Sequence, residues 1–169
     1  METLHGRLEG VAPERAMLLT RELAITVDEL WRWLTEPERT QQWYGPWRTA
    51  DGSTPAVGDE ILVTMTEEEG GDQESAMRIE ACEPPYRLAL VSAAPAPFDW
   101  PLTLTVEARP AGSAVTLRHD RIPADVPLAD LGAGWEFYLV RLVAAIEGSK
   151  PVSFEHCLQV YGPQYAALG

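Results

Sequence analysis

Few residues in this chain are equipped for chemistry, and the strongest candidate is a histidine. His119 follows Val115 and Leu117 at two-residue steps, so on a strand it shares their apolar side. An imidazole there can act as a general base or orient a polar group of a ligand, because its ordinary pKa lies near neutrality. The same position suits a core histidine hydrogen-bonded to a neighbour, and both readings stay open. His5 and His156 are far away in sequence, and three dispersed histidines give no metal-binding cluster. Cys82 and Cys157 are too few for a disulfide framework and too distant for a CxxC site, so both are expected to be buried free thiols. The chain has no GxGxxG or P-loop, no HExxH and no GxSxG. Nucleotide, zinc and nucleophile-elbow chemistry therefore have no starting point, and no cofactor is expected.

Composition bounds the partners. With 169 residues the chain is expected to form one domain, 1–169, around one core. Asp and Glu number 26 against 13 Lys and Arg, a formal charge of -13, which repels nucleic acid and anionic membrane surfaces alike. No apolar run has the length of a membrane span and the first ten residues lack a signal-peptide core, so membrane insertion is not expected and the location is read as cytoplasmic.

The elements that position these residues follow from periodicity. Leu128, Leu131, Trp135, Tyr138, Leu139, Leu142 and Ile146 recur at three- and four-residue steps, which predicts a helix over 128–147 with one dry stripe. Asp130, Glu136, Arg141 and Glu147 fall on its wet side, and Gly148 is placed to stop it. Gly132 and Gly134 beside Trp135 either leave a space or permit close approach of another element. Upstream, a short strand is expected within 4–11 and a firmer one over 15–23. Thr26-x-x-Glu29 and Thr35-x-x-Glu38 read as two capping boxes, the second with Pro37 in its first turn. Two short helices are thus predicted, 27–34 and 36–42. They run into Trp43-Tyr44-Gly45-Pro46-Trp47, an aromatic corner that either plugs the end of a core or lines a ligand entrance.

From Glu60 to Arg121 the period changes to two. Strands are predicted over 60–66, 75–83, 86–92, 100–109 and 114–121. They are joined by hairpin turns at Glu67–Asp72 and Pro110–Ser113, a corner at Pro84-Pro85 and a loop over 93–99. Their apolar columns are Ile61/Val63/Met65, Met77/Ile79/Ala81, Leu88/Leu90, Leu102/Leu104/Val106 and Val115/Leu117/His119. Glu29 and Glu38 read as caps and Glu67–Glu69 as a solvated turn, not as catalytic carboxylates. Strands connected this way are antiparallel, so the class is α+β, with the long helix laid across the dry face of a curved sheet. The core is expected within 15–148, with 149–169 an extension packed on the surface through Phe154, Val160, Tyr161 and Tyr165.

This order of elements resembles the helix-grip fold of the START and polyketide-cyclase-like (SRPBCC) superfamily, which includes the birch pollen allergen. Thr20-Arg21-Glu22-Leu23, Asp28-Glu29-Leu30-Trp31, Leu34-Thr35-Glu36-Pro37-Glu38 and Gln42 to Trp47 are similar to the bacterial branch related to activators of heat-shock protein 90 ATPase. Glu83-Pro84-Pro85-Tyr86-Arg87-Leu88 and Gly134 to Leu139 extend the likeness, over roughly residues 15 to 148. The resemblance implies a sheet gripping the last helix, with a cavity between them for an apolar small molecule. On the inferred dry faces such a cavity is lined by Met65, Met77, Leu90, Trp100, Leu102, Leu104, His119, Trp135 and Leu139. Rival readings are a chaperone regulator acting through its surface and a cofactor-independent cyclase or hydrolase, for which His119 is the one candidate acid or base. A homodimer is one way to bury the aromatic corner and the aromatic extension; covering each other within one chain is the other.

Overall fold

The computed structural model describes residues 3–65, 73–93 and 99–169. The turn expected at Glu67–Asp72 and most of the loop over 93–99 lie outside the described residues. In chain order the elements are β1 (Gly6–Glu9), β2 (Ala16–Leu23), α1 (Val27–Thr35), α2 (Pro37–Thr40), β3 (Trp47–Arg48) and β4 (Glu60–Met65). There follow β5 (Gln73–Glu83), β6 (Arg87–Ser92), β7 (Pro101–Arg109), β8 (Gly112–His119), α3 (Leu128–Glu147) and α4 (Phe154–Ala166). Among the described residues the strands form one curved, fully antiparallel sheet in the order β1-β2-β8-β7-β6-β5-β4-β3. This is the expected helix-grip α+β fold, with two short helices between β2 and β3.

Helix α3 occupies the predicted range. Its stripe of Leu131, Trp135, Leu139 and Leu142 shares one buried cluster with Met17 and Leu19 of β2 and Val115 and Leu117 of β8. Each such side chain contributes about 1.5–3 kcal/mol by leaving water. Gly148 ends the helix in the left-handed region at φ 68°, where a Cβ would be strained, and donates its N–H to Ala144.

The wet side of α3 needs correction at one position. Glu136 is fully buried, because α4 packs along that face. Ser153 caps α4 by accepting the His156 N–H at 3.2 Å, and Gly132 lies so close to the Tyr165 ring that a Cβ there would overlap it. Beneath the pair, the Glu136 carboxylate accepts from Arg21 of β2, from Tyr165 Oη at 2.8 Å and from the His5 backbone N–H at 3.2 Å. Burial, together with the adjacent carboxylate, pushes the Tyr165 hydroxyl well above its ordinary pKa, so it stays a donor. The residues after Gly148 are therefore a helix locked to the core. Tyr161 and Tyr165 are buried within the chain while Phe154 stays exposed, so most of the apolar surface behind the dimer expectation is already covered.

Three smaller expectations also change. The second capping box is absent: Thr35 Oγ1 donates to Trp31 O at 2.8 Å inside α1, and the N-cap of α2 is Glu36, with no side-chain cap bond. In the first box Thr26 accepts the Glu29 N–H at 3.2 Å, but the Glu29 carboxylate pairs with Arg39 at 2.6 Å, a charge-assisted bond stronger than one to a backbone N–H. Lastly, the register shifts between Ile79, opposite Leu90, and Ala81, opposite Ala89. The extra residue turns the following side chains over, which takes Ala81 out of the apolar column and puts Cys82 in its place. Cys82 is exposed, its side chain facing the space that Leu88 and Leu90 also line, whereas Cys157 is buried as expected.

Candidate functional site

The space between sheet and helices is built outward from the aromatic corner. The end of α2 folds back through Gly45 N–H to Thr40 O at 2.8 Å, and Thr64 N–H then reaches Pro46 O at 2.9 Å. A Cβ on Gly45 would run into the Thr64 carbonyl, so this close crossing needs glycine. Arg141 of α3 donates to Trp43 O at 3.1 Å and ties the corner to the long helix. Trp43, Tyr44 and Trp47 thereby become walls.

They enclose an inner chamber of about 510 Å³ with Leu34 and Trp31 of α1 above, Trp135 of α3 at one end, and a floor of Ile61, Val63, Met77, Ile79, Leu88, Leu90, Leu102, Leu104 and Leu117. Its polar groups are few and largely engaged. Trp43 Nε1 donates to Trp33 O and Trp47 Nε1 to Thr35 O, each at 2.9 Å, while Thr40 Oγ1 reaches Pro37 O at 3.3 Å. Among the described residues that line it, none is acidic, basic or a histidine.

An outer chamber of about 890 Å³ abuts the first, bounded by Met65, Ser75, Ser92, Trp100, Phe137 and Tyr138, with Gln73, Glu74 and Asp130 at its polar edge. Gly134 opens onto it, and a Cβ there would meet nothing within 4 Å. So the two glycines of α3 divide their roles: Gly132 admits Tyr165, and Gly134 leaves space. Tyr44, Val63, Met77, Leu102 and Trp135 line both chambers. The partition is thus one side chain thick, and its centre is Tyr44 stacked on Trp135 with ring centroids 6.4 Å apart and planes 14° from parallel. Tyr138 meets Tyr44 edge-on at 4.7 Å.

His119 stands behind this partition. Its side chain is 2 % exposed, its Nδ1 accepts the Trp135 Nε1–H at 3.2 Å, and its ring lies 4.8 Å from that of Trp100. Burial lowers its pKa to about 4, against a smaller opposing effect of Asp120. The ring is neutral at pH 7 and carries its proton on Nε2, since Nδ1 accepts. It is a core histidine that orients an indole.

The sequence-predicted lining residues divide accordingly. Met77, Leu102 and Trp135 touch both chambers, Leu90 and Leu104 the inner one, and Met65 and Trp100 the outer one. His119 and Leu139 line neither: Leu139 is fully buried in the filled part of the core, and His119 is screened by Trp135. Sequence reasoning missed Tyr44 and Trp47 as definite walls and missed Cys82 altogether. The aromatic corner carried the signal for the first two, whereas the register shift that turns Cys82 inward left no pattern to read.

The family model for Activator of Hsp90 ATPase homolog 1-like proteins matches residues 24–147. No curated protein matches the chain. Solved structures do, in fold: CalU16 from Micromonospora echinospora superposes with a TM-score of 0.74 at 22% identity, covering 96% of this chain and 94% of that one. EF2215 from Enterococcus faecalis gives 0.70 at 17% identity, over 97% and 91% of the two chains. DynU16 gives 0.66 at 22% identity, over 80% of this chain and 48% of that one.

Proposed function

The chain belongs to the Activator of Hsp90 ATPase homolog 1-like family, and from that footing we propose that it binds an apolar, ring-containing small molecule in the inner chamber without transforming it. The observation that carries this reading is the chamber itself: about 510 Å³ walled by aromatic and aliphatic side chains, with both tryptophan N–H groups of the corner held by backbone carbonyls. A chamber of that size and lining matches the general character of small-molecule sites. Flat aromatic walls favour flat rings, by offset stacking.

Turnover needs an acid, a base or a nucleophile against the substrate. The inner lining offers no charged group or imidazole, so its one thiol, Cys82, has no base beside it among the described lining residues, and His119 is engaged by Trp135, which favours a binding module over a cyclase or hydrolase. DynU16 is described as a putative protein in the dynemicin biosynthetic locus. A role in handling a biosynthetic small molecule suits both that setting and the chamber.

The test is binding of the neutral fluorophore N-phenyl-1-naphthylamine, followed by its emission, together with native mass spectrometry of the purified protein. Leu90 lines only the inner chamber, so Leu90→Trp should fill part of it and weaken the fluorophore by about tenfold or more while the circular dichroism spectrum stays unchanged. Undiminished binding in that variant would remove the inner chamber as the site. Co-purification with the chaperone and a change in its ATP turnover, with no bound small molecule, would favour the surface-regulator reading instead.

A further inference from the structure

The outer chamber, at about 890 Å³, is larger than the inner one at about 510 Å³, yet a wholly apolar ligand would leave its edge unused. Its lining is mixed. Met77, Leu102 and Trp135 are shared with the inner chamber, whereas Ser75, Ser92, Glu74 and Asp130 line the outer one alone. Glu74 is met by Arg48 at 3.1 Å, but among the described residues no cation pairs with Asp130 and no lysine or arginine lines either chamber. The position before Trp135, Gly134, adds open volume to the outer chamber.

We propose that the two chambers are halves of one bipartite site for an amphipathic molecule with an amine-bearing end, the apolar body lying in the inner chamber and the ammonium group at the outer edge near Asp130. The proposal rests on the binding reading above and adds the ligand's polarity and direction. Three observations join to support it. The halves share five lining residues, with Tyr44 stacked on Trp135 among them, so rotation of the Tyr44 side chain is the motion that joins them. The carboxylates that line the site, Glu74 and Asp130, line the outer chamber alone. The polar end is negative at Asp130, exposed in the first turn of α3 with no side-chain cation beside it among the described residues, on a chain whose formal net charge of -13 further disfavours an anionic head group. A carboxylate-ended chain of the same length therefore meets repulsion where an ammonium meets attraction.

His119 is a positioning residue in this arrangement. Its Nδ1 fixes the indole of Trp135, and the indole in turn sets the face on which Tyr44 stacks. Loss of that bond frees the partition without altering the head-group end.

The experiment displaces N-phenyl-1-naphthylamine with dodecylammonium, dodecanol and dodecanoate, each below its critical micelle concentration, at pH 7. Dodecylammonium should displace at a concentration about tenfold lower than dodecanoate, as opposite signs at a partly hydrated carboxylate imply. Asp130→Asn should bring that ratio to within about twofold, and raising the salt should shrink it in the unmodified protein, a readout that needs no variant. Equal displacement by all three, or tighter dodecanoate, overturns the bipartite assignment and leaves inner-chamber binding standing. Failure of the fluorophore to bind at all removes both.

Discussion

Acidification should destabilise this protein through His119 by an amount that follows from its environment. In the folded chain the imidazole is buried and titrates at about 4, whereas an exposed histidine titrates near 6.5. The folded pKa is lowered, so between those two values the unfolded chain takes up a proton that the folded chain refuses. The histidine's contribution is accordingly full above about pH 6.5 and is lost as pH falls toward 4. Between pH 7 and pH 5 the loss comes to about 2 kcal/mol. Protonation also turns Nδ1 from acceptor to donor, which sets it against the Trp135 N–H. The assay is urea unfolding at a series of pH values for the unmodified protein and for His119→Leu. Subtracting the two curves removes the carboxylates that titrate in the same window, and the difference should be steepest near pH 5, at about 1.2 kcal/mol per pH unit. A flat difference, or a His119 proton resonance that titrates near 6.5, would refute the placement of this ring in the dry core.

Glu136→Ala should cost about 3–5 kcal/mol in the same unfolding assay, because it strands the buried Arg21 guanidinium and the Tyr165 hydroxyl. The two glycines of α3 should respond oppositely to alanine. Gly132→Ala collides with the Tyr165 ring and lowers the melting temperature, while Gly134→Ala meets open space and stabilises the helix by up to about 1 kcal/mol while narrowing the outer chamber. Under native conditions a thiol reagent should label Cys82 alone, with Cys157 reacting only after denaturant is added, and a bound inner-chamber ligand should slow the first reaction.

Much of the fold was legible because its signals are local. The heptad-like stripe, the glycine stop and the period-two strands each report on a few neighbouring residues, and α3 has the bounds that its periodicity predicts. What escaped was set by contacts between distant segments. Glu136 falls on the wet side by spacing, and only the arrival of α4, whose sequence contains Gly162 and Pro163 inside the helix, makes that side dry. The two-residue strand β3 exists because the corner crosses β4, too short for any period to show. At the site, alternation found most of the wall. It could not distinguish a side chain that touches a chamber from one hidden directly behind another, and that is the difference between Trp135 and His119.

The Arg21, Glu136 and Tyr165 clasp bears on how this chain can change over evolutionary time. The segment matched by the family model, 24–147, contains the carboxylate but neither the guanidinium nor the phenol. Each of the three residues is a hazard without the others, so no single substitution among them is neutral, and they are expected to be inherited or replaced together. A chimera that grafts residues 24–147 onto a relative's two ends would carry an acid selected for partners it has left behind. Recombination points for this fold are therefore better drawn before β2 and after α4, where the exchanged piece brings its own counter-charge and its own hydroxyl.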